Sequence, residues 1–148
     1  IALEKKVKYN DLCIKESASL SKEEFFSVLS GNRKQIKENS SQLVKELYCK
    51  MEFQQLRPRV RVSYIREAYI YAPGNVRVTF DSDIRTSLFT REFLKTDFNG
   101  IGVTDNSTDM ILEVKFDDFL PDVITRLIQT GNARQQAFSK YCACRRFG

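Results

Sequence analysis

The chain has 148 residues, with 24 Lys and Arg against 19 Asp and Glu, a formal charge of +5 and no histidine. Without histidine it can build no His-based triad, His-ligated zinc site or imidazole proton relay. A composition 42% hydrophobic and 29% charged argues against disorder, the length suits one domain with a real core, and the basic surplus favours a polyanionic partner.

In chain order, Ile1 to Tyr9 and Leu12 to Ser17 read as a β-hairpin around Asn10-Asp11. Glu4, Lys6 and Lys8 share one face of its first strand, and the second offers Cys13 and Lys15. Ser21-Lys22-Glu23-Glu24 has capping-box spacing before Phe25, Phe26, Val28 and Leu29, with Gly31 as the stop. A longer helix is predicted from about Ser41 to Leu56, with Leu43, Val44, Leu47, Tyr48 and Met51 as its apolar stripe and Pro58 as its end. The segment from Arg59 to Tyr71 is dense in Val, Ile and Tyr, and Ala72-Pro73-Gly74-Asn75 turns it into a second hairpin.

The return strand, Asn75 to Asp81, alternates Val76, Val78 and Phe80 with Arg77, Thr79 and Asp81. Ile84 to Leu94 has no clear periodicity, and Asn99 to Gly102 and Asp105 to Ser107 read as loop. Met110 to Phe116 alternates again, with Met110, Leu112, Val114 and Phe116 opposite Glu113 and Lys115. Pro121 opens a helix with Leu120, Val123, Ile124, Leu127 and Ile128 on one face and Gly131 as its close, and a last helix is expected over Ala137 to Arg146. If the helices cover the apolar faces of these strands, the charged faces can curve inward and line a polar cavity.

Basic residues recur on nearly every predicted strand: Lys6, Lys8, Lys15, Arg59, Arg61, Arg66, Arg77 and Lys115. Each alone reads as a solvated edge residue. Facing one another across a closed sheet, they would require an anion, and phosphate suits both Arg and Lys. Glu113 either pairs with Lys115 or a nearby Arg, or offers an oxygen ligand to Mg²⁺ or Mn²⁺, with Glu4 as a lesser candidate. Lys140 is placed near a helix N-terminus, where an anion would relieve its unfavourable position. The four cysteines lack a disulfide framework's spacing; reduced thiols in a cytoplasmic protein are the expectation, with zinc at Cys142-x-Cys144 as the alternative. No apolar run reaches the roughly 20 residues that span a bilayer, and the charged start does not fit a signal peptide. No P-loop, dinucleotide or kinase motif is present.

Leu3-Glu4-Lys5-Lys6, Val62-Ser63-Tyr64-Ile65-Arg66-Glu67-Ala68, Asn75 to Asp81 with Ile84-Arg85, Ile111 to Phe116, and Phe138-Ser139-Lys140-Tyr141 together resemble the VTC domain of polyphosphate polymerases. That family lies within the CYTH or triphosphate-tunnel superfamily, and the likeness runs in order along almost the whole chain, residues 1–148 being read as one VTC-like domain. The resemblance implies an α+β fold, an antiparallel β tunnel with helices outside. It implies transfer of the γ-phosphoryl group of ATP to a growing polyphosphate chain, with Mn²⁺ or Mg²⁺ as cofactor. Carried onto matching positions, Lys6, Arg66, Arg77 and Lys140 are the catalytic cations. Lys15, Arg85, Lys115 and Ser139 join them in binding phosphate, and Glu113 is the metal ligand.

Family members carry further N-terminal strands with an Arg-x-Arg alternation. The chain is therefore expected to be the C-terminal portion of such a domain, with an incomplete tunnel that a homo-oligomer or a missing N-terminal segment would close. The expected partners are ATP and inorganic polyphosphate, with no nucleic acid and no membrane segment. The alternatives are a triphosphate hydrolase of the same superfamily and a non-catalytic polyphosphate- or polyanion-binding module. The strands lack the interleaved aromatic and basic residues that a nucleic-acid stacking platform needs.

Overall fold

The computed structural model describes residues 1–9, 12–87, 93–95, 99–104, 109–129, 131 and 135–147. It divides into two compact units, Ile1–Arg59 and Val60–Gly148.

In the first unit, β1 (Ala2–Tyr9) and β2 (Leu12–Ser19) pair antiparallel, from Ala2 opposite Ser19 to Tyr9 opposite Leu12. That register matches the expected two-residue connection, although Asn10 and Asp11 themselves lie outside the described residues. Alternation sends Leu3 and Ala18 to the core with Leu20, Ile36, Val44 and Met51. It leaves Glu4, Lys6 and Lys15 on the other face, with Lys6 directly across from Lys15.

Helix α1 (Lys22–Ser30) starts and stops as its sequence predicts. Glu24 N donates to Ser21 Oγ at 3.1 Å, Ser21 N donates to Glu24 Oε2 at 2.8 Å, and Gly31 closes the helix at φ +74°. A one-turn helix, α2 (Lys34–Lys37), was not expected; it exists to bury Ile36, which is fully enclosed. Helix α3 (Gln42–Phe53) carries the predicted stripe but ends before Pro58. Gln55 turns left-handed at φ +54°, so that Gln54 N and Leu56 N both reach Lys50 O at 3.1 Å. Arg33 and Arg57 then donate to Met51 O, satisfying the loose carbonyl end without the proline.

The second unit is built on β4 (Val76–Ser87). Strand β3 (Arg61–Tyr71) pairs along one edge, while β5 (Ile101–Gly102) and β6 (Ile111–Lys115) pair along the other, all antiparallel. The turn between β3 and β4 is a short 3₁₀ segment, Pro73–Asn75, where Gly74 and Asn75 both have positive φ. The expected break after Asp81 is not a break. β4 runs on through a bulge in which Asp83 adopts φ +48° and the register with β3 shifts between Ser63 and Ile65. Residues 88–92, part of the segment that periodicity left unassigned, lie outside the description, as do Asp105 to Ser107.

Helix α4 (Asp122–Ile128) opens after Pro121 and stops short of Gly131. Of its predicted stripe only Ile124 is buried, whereas Leu127 is 70% exposed. Helix α5 (Lys140–Cys144) starts later than Ala137 because Ser139 caps it; a 3₁₀ turn, Arg145–Phe147, follows.

Helix α5 packs against β3 and β4, and the buried residues of β4 include Thr79, Asp81 and Thr86. In this unit the charged face is therefore partly covered rather than left open. Neither ladder closes on itself among the described residues, so the fold is a mixed one of antiparallel sheets with helices, without a closed barrel.

A Cβ at Gly74 would lie 2.5 Å from the Phe119 carbonyl oxygen, at a backbone φ of +74° that side chains rarely adopt. Gly74→Ala is expected to destabilise the second unit by roughly 2–4 kcal/mol, which a thermal or denaturant unfolding curve would register.

Candidate functional site

The pairing of β3, β4 and β6 gathers charge on one side of the sheet. Arg66 is opposite Asp81, Ala68 opposite Thr79 and Ile70 opposite Arg77; across the other edge Ile111, Glu113 and Lys115 face Asp81, Thr79 and Arg77. Directly opposed residues share a face. Arg66, Arg77, Glu113 and Lys115 therefore stand together around Thr79 and Asp81, as the alternation in the sequence predicts.

Asp81 is the anchor of this face and is fully buried. Arg66 grips it bidentately, Nε to Oδ1 at 2.6 Å and Nη2 to Oδ2 at 2.7 Å, and Lys140 Nζ lies 2.5 Å from Oδ2. Hydrogen bonds from Arg66, followed by those from Lys140, outweigh the penalty of burial and lower the Asp81 carboxyl to about 2. The same bond raises the Arg66 guanidinium above its ordinary range. The Tyr64 ring lies beneath both cations, 5.1 Å from the Arg66 guanidinium carbon and 5.1 Å from Lys140 Nζ. Two positive charges meet one negative charge, so the cluster keeps a positive excess.

Lys140 is the first residue of α5, and Ser139 serves it by capping that helix, its Oγ accepting from Cys142 N at 3.2 Å. Arg77 is exposed and has no ion-pair partner among the described residues. Its cross-strand neighbour is another cation, Lys115, which is paired with Glu113 at 3.2 Å. Arg85 does not join the group. Beyond the bulge it pairs with Ser63, which lies on the Ile65 face of β3, and its Nε is held by Asp83 at 2.8 Å.

Lys6 and Lys15 belong to the first unit. They oppose each other across the hairpin, with Lys15 paired to Glu4 at 2.5 Å and Lys6 free among the described residues. Glu4 is thereby engaged on its own strand pair.

The described residues contain no group of three or more Cys, Asp or Glu that could hold a metal by itself. Mg²⁺ and Mn²⁺ need less when phosphate supplies oxygens: one or two carboxylates suffice. Glu113 is such a carboxylate, and directly across from it Thr79 buries a hydroxyl that has no hydrogen-bond partner among the described residues. An orphaned hydroxyl of this kind is the mark of a water or ligand oxygen beside it. One carboxylate, held here by Lys115, and one hydroxyl make an incomplete donor set for a hard cation, which phosphate oxygens would have to complete. Thr79 and Asp81 were assigned no role from the sequence; their alternation with Arg77 was the only signal available there.

The Asp81 carboxyl is lowered in the fold, so its stabilisation is present above about pH 4 and is lost as the pH falls through about 2. It amounts to on the order of 2 kcal/mol. Unfolding midpoints measured from pH 5 down to pH 2 should show this loss, and Asp81→Asn should flatten that part of the profile.

No helix of the described residues is long and apolar enough to cross a membrane. No curated protein shows a significant match to the chain. The family model of the VTC domain, however, matches residues 1–147, spanning the hairpin with Lys6 and Lys15 as well as every element of the charged face. On that match the chain belongs to the VTC domain family, which is associated with polyphosphate synthesis.

Proposed function

We propose that the chain is a polyphosphate polymerase domain that transfers the γ-phosphoryl group of ATP to the end of a growing polyphosphate chain. One observation carries the reading: Arg77, an exposed cation without a counter-charge among the described residues, stands across from Lys115 and on the same face as the Arg66–Asp81–Lys140 cluster. Like charges directly opposite each other destabilise a sheet. A condensed phosphate, with regularly spaced anionic oxygens, turns that cost into binding.

In the transfer a terminal oxygen of the polymer attacks the γ-phosphorus, the bond to the β-bridging oxygen breaks, and ADP leaves. This chemistry needs positioning and charge neutralisation more than a proton relay, which suits a chain without histidine. Arg66, Arg77 and Lys140 would hold phosphate oxygens, with Lys115 at the margin and Ser139 fixing the first turn of α5. Lys6 and Lys15, opposed on the first hairpin, would supply a second stretch of phosphate contacts. Arg85, turned to the other face, has the weakest claim. Glu113 would hold Mn²⁺ or Mg²⁺, which when bound supplies further neutralisation of the phosphate oxygens. In this reading the charged face of β3, β4 and β6 lines part of a tunnel that threads an unbranched polymer. ATP as donor and the free cysteines accord with the cytoplasm.

A binding-only reading draws support from the Glu113–Lys115 pair, since a carboxylate already engaged needs no metal. Two variants separate the readings, assayed with ATP, Mn²⁺ and a short polyphosphate primer. Arg77→Ala should lower polymer formation on the order of 100-fold. Glu113→Gln should abolish most turnover while tripolyphosphate binding persists or tightens. Turnover retained by Glu113→Gln would remove the metal role, and binding without turnover in the wild-type protein would favour the binding module.

A further inference from the structure

Asp81 is placed beneath its two cations, not among them. Its side chain is 0% exposed, while those of Arg66 and Lys140 are 32% and 21% exposed. Arg66 spends Nε and Nη2 on the carboxylate, leaving Nη1 and the second hydrogen of Nη2 to point elsewhere. Lys140 has three donors and gives one to Oδ2. The cations come from β3 and from α5, elements far apart in sequence, and Tyr64 limits both from one side. The seat of α5 is also fixed from its other end, where Cys144 is fully buried as the helix packs on β3 and β4.

We infer that Asp81 is a positioning residue for condensed phosphate, holding Arg66 and Lys140 at a set separation so that their free donors meet neighbouring phosphate oxygens. The inference rests on the phosphate-binding role proposed for this face. A carboxylate that merely competed with phosphate would occupy the exposed side of the cations; Asp81 occupies the enclosed side. Removing its charge leaves both cations present but no longer held. In catalysis a misplacement of about 1 Å can cost about 100-fold in rate, and a binding group held out of place loses its contacts for the same geometric reason.

The test is titration calorimetry of the whole chain with tripolyphosphate, comparing Asp81→Asn, Lys140→Met, the double variant and Arg77→Ala. Asp81→Asn is expected to weaken binding about tenfold or more, and to cost clearly less once Lys140 is already gone, because part of its action runs through that lysine. Unchanged affinity in folded Asp81→Asn would reduce Asp81 to a structural ion pair and overturn the inference. Tighter binding would make it a competitor and overturn it equally. Should Asp81→Asn fail to fold by circular dichroism, Asp81→Glu keeps the charge and shifts the carboxylate by one methylene; it is expected to weaken binding comparably, and wild-type affinity there would overturn the inference. Arg77 does not touch Asp81, so wild-type affinity in Arg77→Ala would instead refute the phosphate-binding reading on which the inference stands.

Discussion

A buried carboxylate without partners would cost several kcal/mol, and the second unit is arranged so that Asp81 never lacks them. Three donors from two distant elements converge on it: Nε and Nη2 of Arg66 on β3, and Nζ of Lys140 on α5. The requirement to satisfy this one group ties α5 onto the sheet and sets β3 in register with β4 at Arg66. It also concentrates positive charge beside a strand that already carries Arg77. Packing and electrostatics here have the same cause.

The polarity of the sheet follows from that arrangement. On β4 the residues most deeply buried beyond Val76 are Thr79, Asp81, Ile84 and Thr86, two on each side of the bulge. The bulge keeps a single face buried where a regular strand would have exchanged faces at that point. Val78 and Phe80, on the opposite face, are only partly enclosed. A sheet that turns its hydroxyls and carboxylate inward and exposes much of its apolar side departs from the usual pattern of an ordinary core. The departure is intelligible when the polar face has work to do. Arg66 and Lys140 are compensated by Asp81 in part, Lys115 by Glu113, and Arg77 not at all among the described residues, so the face as a whole favours a multivalent anion.

Much of this was legible in the sequence where the signal was local. The capping box at Ser21 and Glu24, the left-handed stop at Gly31 and the turn at Gly74 are each defined by a few adjacent residues, and each forms. Period-two alternation correctly placed Arg77 with Thr79 and Asp81, and Glu113 with Lys115. What stayed hidden depends on contacts between distant residues or on rare backbone states. α2 has too few residues for a period. The end of α3 is set by Gln55 in a left-handed conformation and by two arginines that cap it from outside the helix. The bulge at Asp83 reverses the parity that would have put Arg85 with the other cations. The role of Asp81 was invisible for the same reason, since nothing in its neighbourhood along the chain names Arg66 or Lys140 as its partners.

The most direct measurement is a structure of the protein with tripolyphosphate bound. Phosphate oxygens should lie within hydrogen-bonding distance of Arg66, Arg77 and Lys140, with Asp81 still gripping Arg66 and Lys140 from below. Tripolyphosphate ordered on another surface, with the charged face of β3, β4 and β6 untouched, would contradict the assignment of that face to polyphosphate chemistry.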